Sequence, residues 1–221
     1  MYTLAYNTTG SGCSITLMKG SVVLDSFNKA TEFGQAEILI PEIKSMLNRN
    51  NLSFSDLGAV FVCVGPGSFT GVRSGVAAAR VFAIAAPNLK IGGVSAFDAY
   101  KYCFEEQDIT ELNAVIIETR RNDFYVQLFD KNMKNITEPQ TMMYAELLKT
   151  LKQKGCVVSL CGDGVERFLS QPSGLVLHAI KMEDNLSAEK IALAGLTMLK
   201  NKKIDFPKPM YLRAPDVTIP K

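Results

Sequence analysis

The first thirty residues alternate apolar and polar positions in three short runs, YTLAYN (2–7), CSITLMK (13–19) and SVVLDSF (21–27). Turn signals at Thr9-Gly10-Ser11-Gly12 and Lys19-Gly20-Ser21 part them, so the pattern predicts three β-strands. Residues 31–49 then switch to a helical period, with Ala36, Ile40, Ile43 and Leu47 three or four apart. Thr31 stands where an N-cap is expected, Glu32 follows it, and Pro41 should bend the helix. An apolar strand over 58–64 leads into the loop GPGSFTGVR and a helix reaching residue 86. A short strand near 91–92 and a helix over 94–106, capped by Ser95, complete this half.

The pattern then begins again. NAVIIETR, DFYVQLFD and a weaker NITEPQTM read as strands, separated by turns at Arg121-Asn122 and Lys131-Asn132. A helix over 144–154, the strand CVVSLCG and the turn Gly162-Asp163-Gly164 follow. The order β-β-β-α-β thus occurs twice at ~100-residue spacing, which predicts two stacked copies of one α/β unit, the second reduced. The first unit is expected over 1–106 and the second over 107–221. The latter ends in a helix over 187–201 and an extended Pro-rich tail, FPKPMYLRAPDVTIP.

Composition narrows the function classes. Of 221 residues 47% are hydrophobic and 21% charged, the profile of an ordinary soluble globular protein. Lys and Arg number 24 against 22 Asp and Glu, which argues against a stand-alone nucleic-acid binder. The cluster Lys200, Lys202 and Lys203 reads as a solvated helix end. Cys13, Cys63, Cys103, Cys156 and Cys161 are odd in number and form no CxxC pair, so reduced, mostly buried thiols of a cytoplasmic protein are expected. No apolar run reaches the ~18 residues of a membrane span, because Arg73 and Arg80 interrupt the best candidate. His178 is the only histidine, which removes HxxH and HExxH metal sites and with them zinc hydrolysis.

The loop GPGSFTGVR looks like a phosphate cradle, but it fails both common tests. A Walker A loop needs GxxxxGK[ST], and Val72 stands where the lysine would be. The dinucleotide fingerprint needs GxGxxG, whereas Gly65, Gly67 and Gly71 give GxGxxxG with no acid some ~20 residues on. Two readings remain open. Backbone amides over 67–71 at a helix N-terminus, with Gly67, Ser68 and Thr70, could hold an anion, and Arg73 could add a cation. Alternatively Gly65-Pro66-Gly67 makes a tight turn and Ser68 or Thr70 caps the helix, the reading of greater weight.

The helix beyond the loop says more. From 71 to 86 only Arg73, Ser74 and Arg80 are polar. One face carries Gly71, Gly75, Ala78, Ala79, Phe82 and Ala86, and another Arg73, Val76, Ala77, Arg80 and Ile84. A helix apolar nearly all round is covered on more than one side, which points to a second protein lying on it, anchored on the arginines, ahead of the alternative of a fully internal helix.

Sugar-kinase and actin-like ATPases also double a β-β-β-α-β unit, and each of their copies opens with an acidic turn that positions metal and phosphates. Here the turn is YNTTG, with Asn7 where the magnesium carboxylate would be. Glu118, Arg120 and Asp123 surround the corresponding turn of the second copy and read as a solvated hairpin. No Ser-His-Asp arrangement or paired-carboxylate spacing stands out.

These residues resemble a known family. QAEILIPEIKSMLNRNNLSFSDLGAVFVCVGPGSFTGVRSGVAAARVFAIA, followed by GGVSAFDAY, is similar to bacterial TsaB, also called YeaZ. Tyr6-Asn7-Thr8-Thr9, Glu118-Thr119-Arg120 before Phe124-Tyr125, and the tail PMYLRAPD match the family's other motifs, whereas 131–187 contributes little. The resemblance implies an actin-like ATPase (ASKHA, ribonuclease H-like) fold that has lost its catalytic apparatus. It implies a non-catalytic partner of TsaD, the metal-bearing subunit that transfers a threonylcarbamoyl group to the adenosine beside the tRNA anticodon. The ATPase TsaE would join that complex, and tRNA would be met only through it.

The family's interface uses the helices over 31–49 and 71–86. This makes Glu37, Ile40, Arg73, Val76, Ala79 and Arg80 the expected contacts, with a homodimer through the same surface in isolation. No catalytic residue, metal or cofactor of its own is implied, though a nucleotide at the joint surface with TsaD is allowed. Asn7 departs from the family's usual aspartate, and Gly34-Gln35-Ala36-Glu37 from its usual HSE helix start. The competing readings are a small ATP-dependent kinase or hydrolase of the same fold, using Thr8, Thr9 and Ser68 on phosphates, and a direct tRNA binder with steep salt dependence.

Overall fold

The computed structural model describes residues 1–31, 34–181 and 186–213. Strands β1 (Tyr2–Asn7), β2 (Gly12–Lys19), β3 (Val22–Ala30), β4 (Leu57–Cys63) and β5 (Lys90–Val94) form one sheet in the order β3-β2-β1-β4-β5. Strands β6 (Leu112–Glu118), β7 (Asp123–Asp130), β8 (Gln140–Met143), β9 (Val158–Cys161) and β10 (Leu177–Ala179) form a second in the order β10-β9-β6-β7-β8. Reversed, that is the same connectivity. In each sheet the first three strands are antiparallel and the last two add in parallel. The doubling expected from the repeated strand order is therefore present.

The helices are α1 (Gln35–Arg49), α2 (Phe69–Ala85), α3 (Ala96–Tyr100), α4 (Tyr144–Lys152), α5 (Val165–Leu169) and α6 (Ala188–Lys200). Side chains of a strand alternate between faces, and here both faces are covered, so the central strands are apolar throughout. Leu4, Tyr6, Val60 and Val62 pack beneath α1 and α2. Their neighbours Ala5, Ala59, Phe61 and Cys63 join a core between the sheets. In β6 Ala114 and Ile116 meet α4 and α5, while Val115 and Ile117 belong to that shared core. Helices α3 and α6 fill it with Phe97, Tyr100, Ile191 and Ala192. Although it follows the second sheet in the chain, α6 lies against β1, β2, β4 and β5 of the first.

Several local expectations shift. Helix α1 begins at Gln35 with Gly34 at its N-cap, not at Thr31. Thr31 is still tied to the strands, its N–H donating to the Ser11 carbonyl at 3.2 Å. Glu32 lies outside the described residues. The buried row of α1 is Leu39, Ile43, Met46 and Leu47, and Ile40 faces out. The helix expected over 94–106 stops at Tyr100. Ser95 does cap it, accepting from Asp98 N at 3.0 Å, but beyond a 3₁₀ turn the Asp108 carboxylate accepts from Glu105 N at 3.1 Å and fixes a separate turn. The weak strand over 135–142 shrinks to β8, since Pro139 cannot donate to a ladder. Helix α5 and strand β10 are too short to show a period in the sequence.

Candidate functional site

Strand β1 ends at Asn7 and runs into Thr8-Thr9, directly against the GPGS loop and the start of α2. Thr8 Oγ1 donates to the Gly71 carbonyl at 2.7 Å, the Tyr6 hydroxyl to the Gly75 carbonyl at 2.9 Å, and Ser68 N to the Thr9 carbonyl at 2.7 Å. A Cβ at Gly71 would overlap the Thr8 carbonyl, and one at Gly67 the Thr9 carbonyl, so only glycine permits this approach. The Ser68 hydroxyl accepts from Gly71 N at 3.3 Å and caps α2, whereas Thr70 sits exposed in the first turn. An anion held by Ser68 N would have to displace its bond to Thr9. The loop's glycines and Ser68 are occupied in packing and capping.

Asn7 is equally committed. Its Nδ2 donates to the Leu186 carbonyl at 2.9 Å, and its Oδ1 accepts from Thr9 N at 2.9 Å and Thr9 Oγ1 at 2.8 Å. The position needs a donor and an acceptor together. A carboxylate supplies only the second.

Between the halves lies a cleft of about 460 Å³. Ser11, Ser68 and Phe69 line one wall, with Glu118, Arg120 and Asp163 on the other. Of the hairpin residues expected to be solvated, Arg120 is exposed, whereas Glu118 and Asp123 are clamped from α5. Arg167 Nε donates to Glu118 Oε2 at 2.6 Å, and its Nη2 donates to Glu118 Oε1 at 2.9 Å and to the Asp123 carbonyl at 2.7 Å. Its guanidinium also stands 3.7 Å over the Phe124 ring. Partial burial opposes ionisation of Glu118, yet the Arg167 bonds prevail and hold its carboxyl below the usual range.

Asp163 opens to the cleft, but protein surrounds it, and this desolvation pushes its carboxyl up to about 6. Its Oδ1 accepts from Glu118 N at 2.9 Å.

The tail joins the two walls. Gly93 N donates to the Asp205 carbonyl at 3.0 Å and Met210 N to the Val64 carbonyl at 2.8 Å. The Tyr211 ring lies 5.3 Å from that of Phe69, and Arg213 pairs with Asp123. Neither Arg167 nor this strap was foreseen, because each acts across a long separation that no local pattern marks. Residues 214–221 lie outside the described residues.

The outer surface of α2 separates the expected contacts into two groups. Arg73 and Arg80 are exposed, Arg73 lying 4.2 Å over the Phe69 ring. Val76 and Ala79 are buried in the chain's own core with Leu39 and Val62, so they are not free to meet a partner. Their places on the surface fall to Ala77, Val81 and Ile84, which continue the stripe from Arg73 at spacings of three and four. Val81 is 60% and Ile84 81% exposed. On α1, Glu37 is exposed and Ile40 is 47% exposed. Both helices cover the face of the first sheet that points away from the shared core.

The family model described as TsaD, tRNA N6-adenosine threonylcarbamoyltransferase, matches residues 34–220. The chain belongs to this family, on its TsaB (YeaZ) branch. It is 28% identical over 165 residues to the tRNA threonylcarbamoyladenosine biosynthesis protein TsaB of Bacillus subtilis (strain 168), covering 73% of this chain and 71% of that one. To the protein of the same name from Escherichia coli (strain K12) it is 24% identical, over 96% of this chain and 95% of that one. YeaZ from Pseudomonas aeruginosa superposes with a TM-score of 0.75 at 21% identity, over 96% and 99% of the two chains. The doubled strand order is that of the actin-like ATPase fold. Among the described residues no helix is long and apolar enough to cross a membrane.

Proposed function

We propose that this TsaB-family chain takes part in making threonylcarbamoyladenosine in tRNA as a non-catalytic subunit that binds and organises a TsaD-like protein. The observation that carries this reading is the outer surface of α2, where Val81 and Ile84 stand open just beyond Arg80 on a helix that also exposes Arg73, with Ile40 exposed on α1. Apolar side chains beside arginines are the composition of a protein-binding centre. The names of the relatives supply the pathway, and the resemblance to TsaB supplies the kind of partner.

The lost chemistry agrees. Asn7, Thr8, Thr9 and Ser68, the groups an ATP-using relative of this fold would turn toward phosphates, all bond within the chain. A TsaE-like ATPase joins the same assembly, a nucleotide lodges at the surface shared with the TsaD-like protein, and the isolated chain pairs with itself through the same helices. The test is co-elution with the TsaD-like protein of the same host on a sizing column. Wild type should co-elute and an Arg80→Glu, Ile84→Glu variant should not, while both keep the same circular dichroism. Co-elution of the variant at wild-type strength would contradict the assignment.

A further inference from the structure

The end of α6 and the tail behind it gather lysines along the β5 edge of the first sheet. Lys200 stands in the last turn of α6, and the chain then reverses through Lys202, whose φ is +56°. Lys202 N donates to the Leu199 carbonyl at 3.1 Å and Lys203 N to the Met198 carbonyl at 2.9 Å. Those are the two bonds of a helix stop whose left-handed position usually belongs to glycine. Here a lysine occupies it. The tail next runs along β5. The Ile204 side chain packs against Gly92, the Asp205 carbonyl accepts from Gly93 N at 3.0 Å, and Pro207 lies against Gly93. Lys90 opens β5 two residues before Gly92, so it falls beside the residues that precede Ile204.

Lys90, Lys200, Lys202, Lys203 and Lys208 are all exposed, and none makes an ion pair or a side-chain hydrogen bond with another described residue. Arg49, Lys101 and Arg167, by contrast, are each held by a carboxylate. Asp205 is the single acid between 200 and 208. Phe206 stands among these lysines, 50% exposed. A chain of net charge +2 thus concentrates uncompensated positive charge on one firmly bonded edge, away from the face that α1 and α2 cover. A polyanion that meets such an edge gains from the release of its counterions. An open aromatic ring between the charges adds a surface on which an unpaired base can stack, which an acidic protein would not use.

We propose that this edge binds tRNA directly, the lysines meeting backbone phosphates and Phe206 stacking on an unpaired base. The inference rests on the tRNA-modification reading for the identity of the RNA and goes beyond it, since the chain then touches tRNA itself and not only through its partner. The Lys200–Lys203 run, expected as a solvated helix end, becomes a contact surface of the assembly.

The experiment is a filter-binding titration of labelled host tRNA with the full chain and the TsaD-like protein together, repeated across salt concentrations. The triple variant Lys200→Ala, Lys202→Ala, Lys203→Ala should bind at least about tenfold more weakly, and its slope of log affinity on log salt should be shallower by about 2. The same three positions changed to Arg should bind as wild type does. Phe206→Ala should lose roughly five- to hundredfold with the slope unchanged. Equal affinity and slope for wild type and the triple alanine variant, both folded by circular dichroism, would overturn the proposal. So would capture of polyglutamate as tightly as tRNA, which would mark a surface for an acidic protein. Co-elution with the TsaD-like protein, run in parallel, should be the same for wild type and the triple variant. Loss of that co-elution counts against the proposed function, and unchanged tRNA binding counts against this edge.

Discussion

The side-chain amide of Asn7 donates to the Leu186 carbonyl at 2.9 Å, tying the last residue of β1 to the segment that leads into α6. The same amide's oxygen accepts twice from Thr9. One buried side chain thus joins the first strand, the turn that follows it, and the approach to a helix from the other half. At the position where an actin-like ATPase would hold a metal carboxylate, this chain has a structural tie.

Asn7→Asp should therefore weaken the fold. The carboxylate loses the donor to Leu186 and sets negative charge against a carbonyl oxygen, for a cost of about 1–3 kcal/mol. Denaturant unfolding measures it. Unchanged stability would mean that the bond to Leu186 contributes nothing.

The loop gives a second contrast. Gly71→Val drives side-chain atoms into the Thr8 carbonyl and should cost at least about 2 kcal/mol, because backbone on both sides must part. Ser68→Ala removes only the cap of α2 and should cost about 1 kcal/mol. If the two losses were equal, close packing would not be the reason for the glycine.

Asp163 makes stability depend on pH with a definite sign. Its folded carboxyl titrates near 6, above the unfolded value, so the folded state holds the proton more tightly. That contribution is present below pH ~4 and lost as pH rises toward ~6. Glu118, held low by Arg167, runs the other way, its contribution being lost as pH falls through its lowered folded value. Asp163→Asn keeps the oxygen that accepts from Glu118 N and removes the titration. The Tm of the variant relative to wild type should rise between pH ~4 and ~6. A constant difference across that window would refute the shift.

On α2, neighbouring residues should fail in different ways. Val76→Ala acts in the core and should lower stability by about 1–3 kcal/mol. Val81→Glu and Ile84→Glu sit in solvent and should change stability by no more than about 0.5 kcal/mol, while weakening partner binding at least about tenfold. Calorimetric titration with the TsaD-like protein, beside thermal melts of each variant, separates the two. Equal binding by wild type and Ile84→Glu would remove this face from the interface.

The doubled architecture was legible because three alternating strands and a helix leave periods that a second copy repeats. Helix α2 was legible from its composition, but its inward row was not, since an apolar helix gives little sign of which side meets the sheet. Hence the sequence places Val76 and Ala79 outside, where the structure has them inside, and marks nothing at Val81, which is open. The clamp of Arg167 on Glu118 and Asp123 was invisible for another reason. Its partners stand more than forty residues away in the chain, and a lone arginine on a five-residue helix carries no pattern. The strap of Met210 and Tyr211 over the cleft escaped for the same reason.

The most direct test of the account is mass spectrometry of nucleosides from host tRNA after depletion of this protein, with and without rescue. Threonylcarbamoyladenosine should fall while other modifications hold, return with the wild-type chain, and stay low with the folded Arg80→Glu, Ile84→Glu variant. An unchanged level after depletion would contradict a role in this modification.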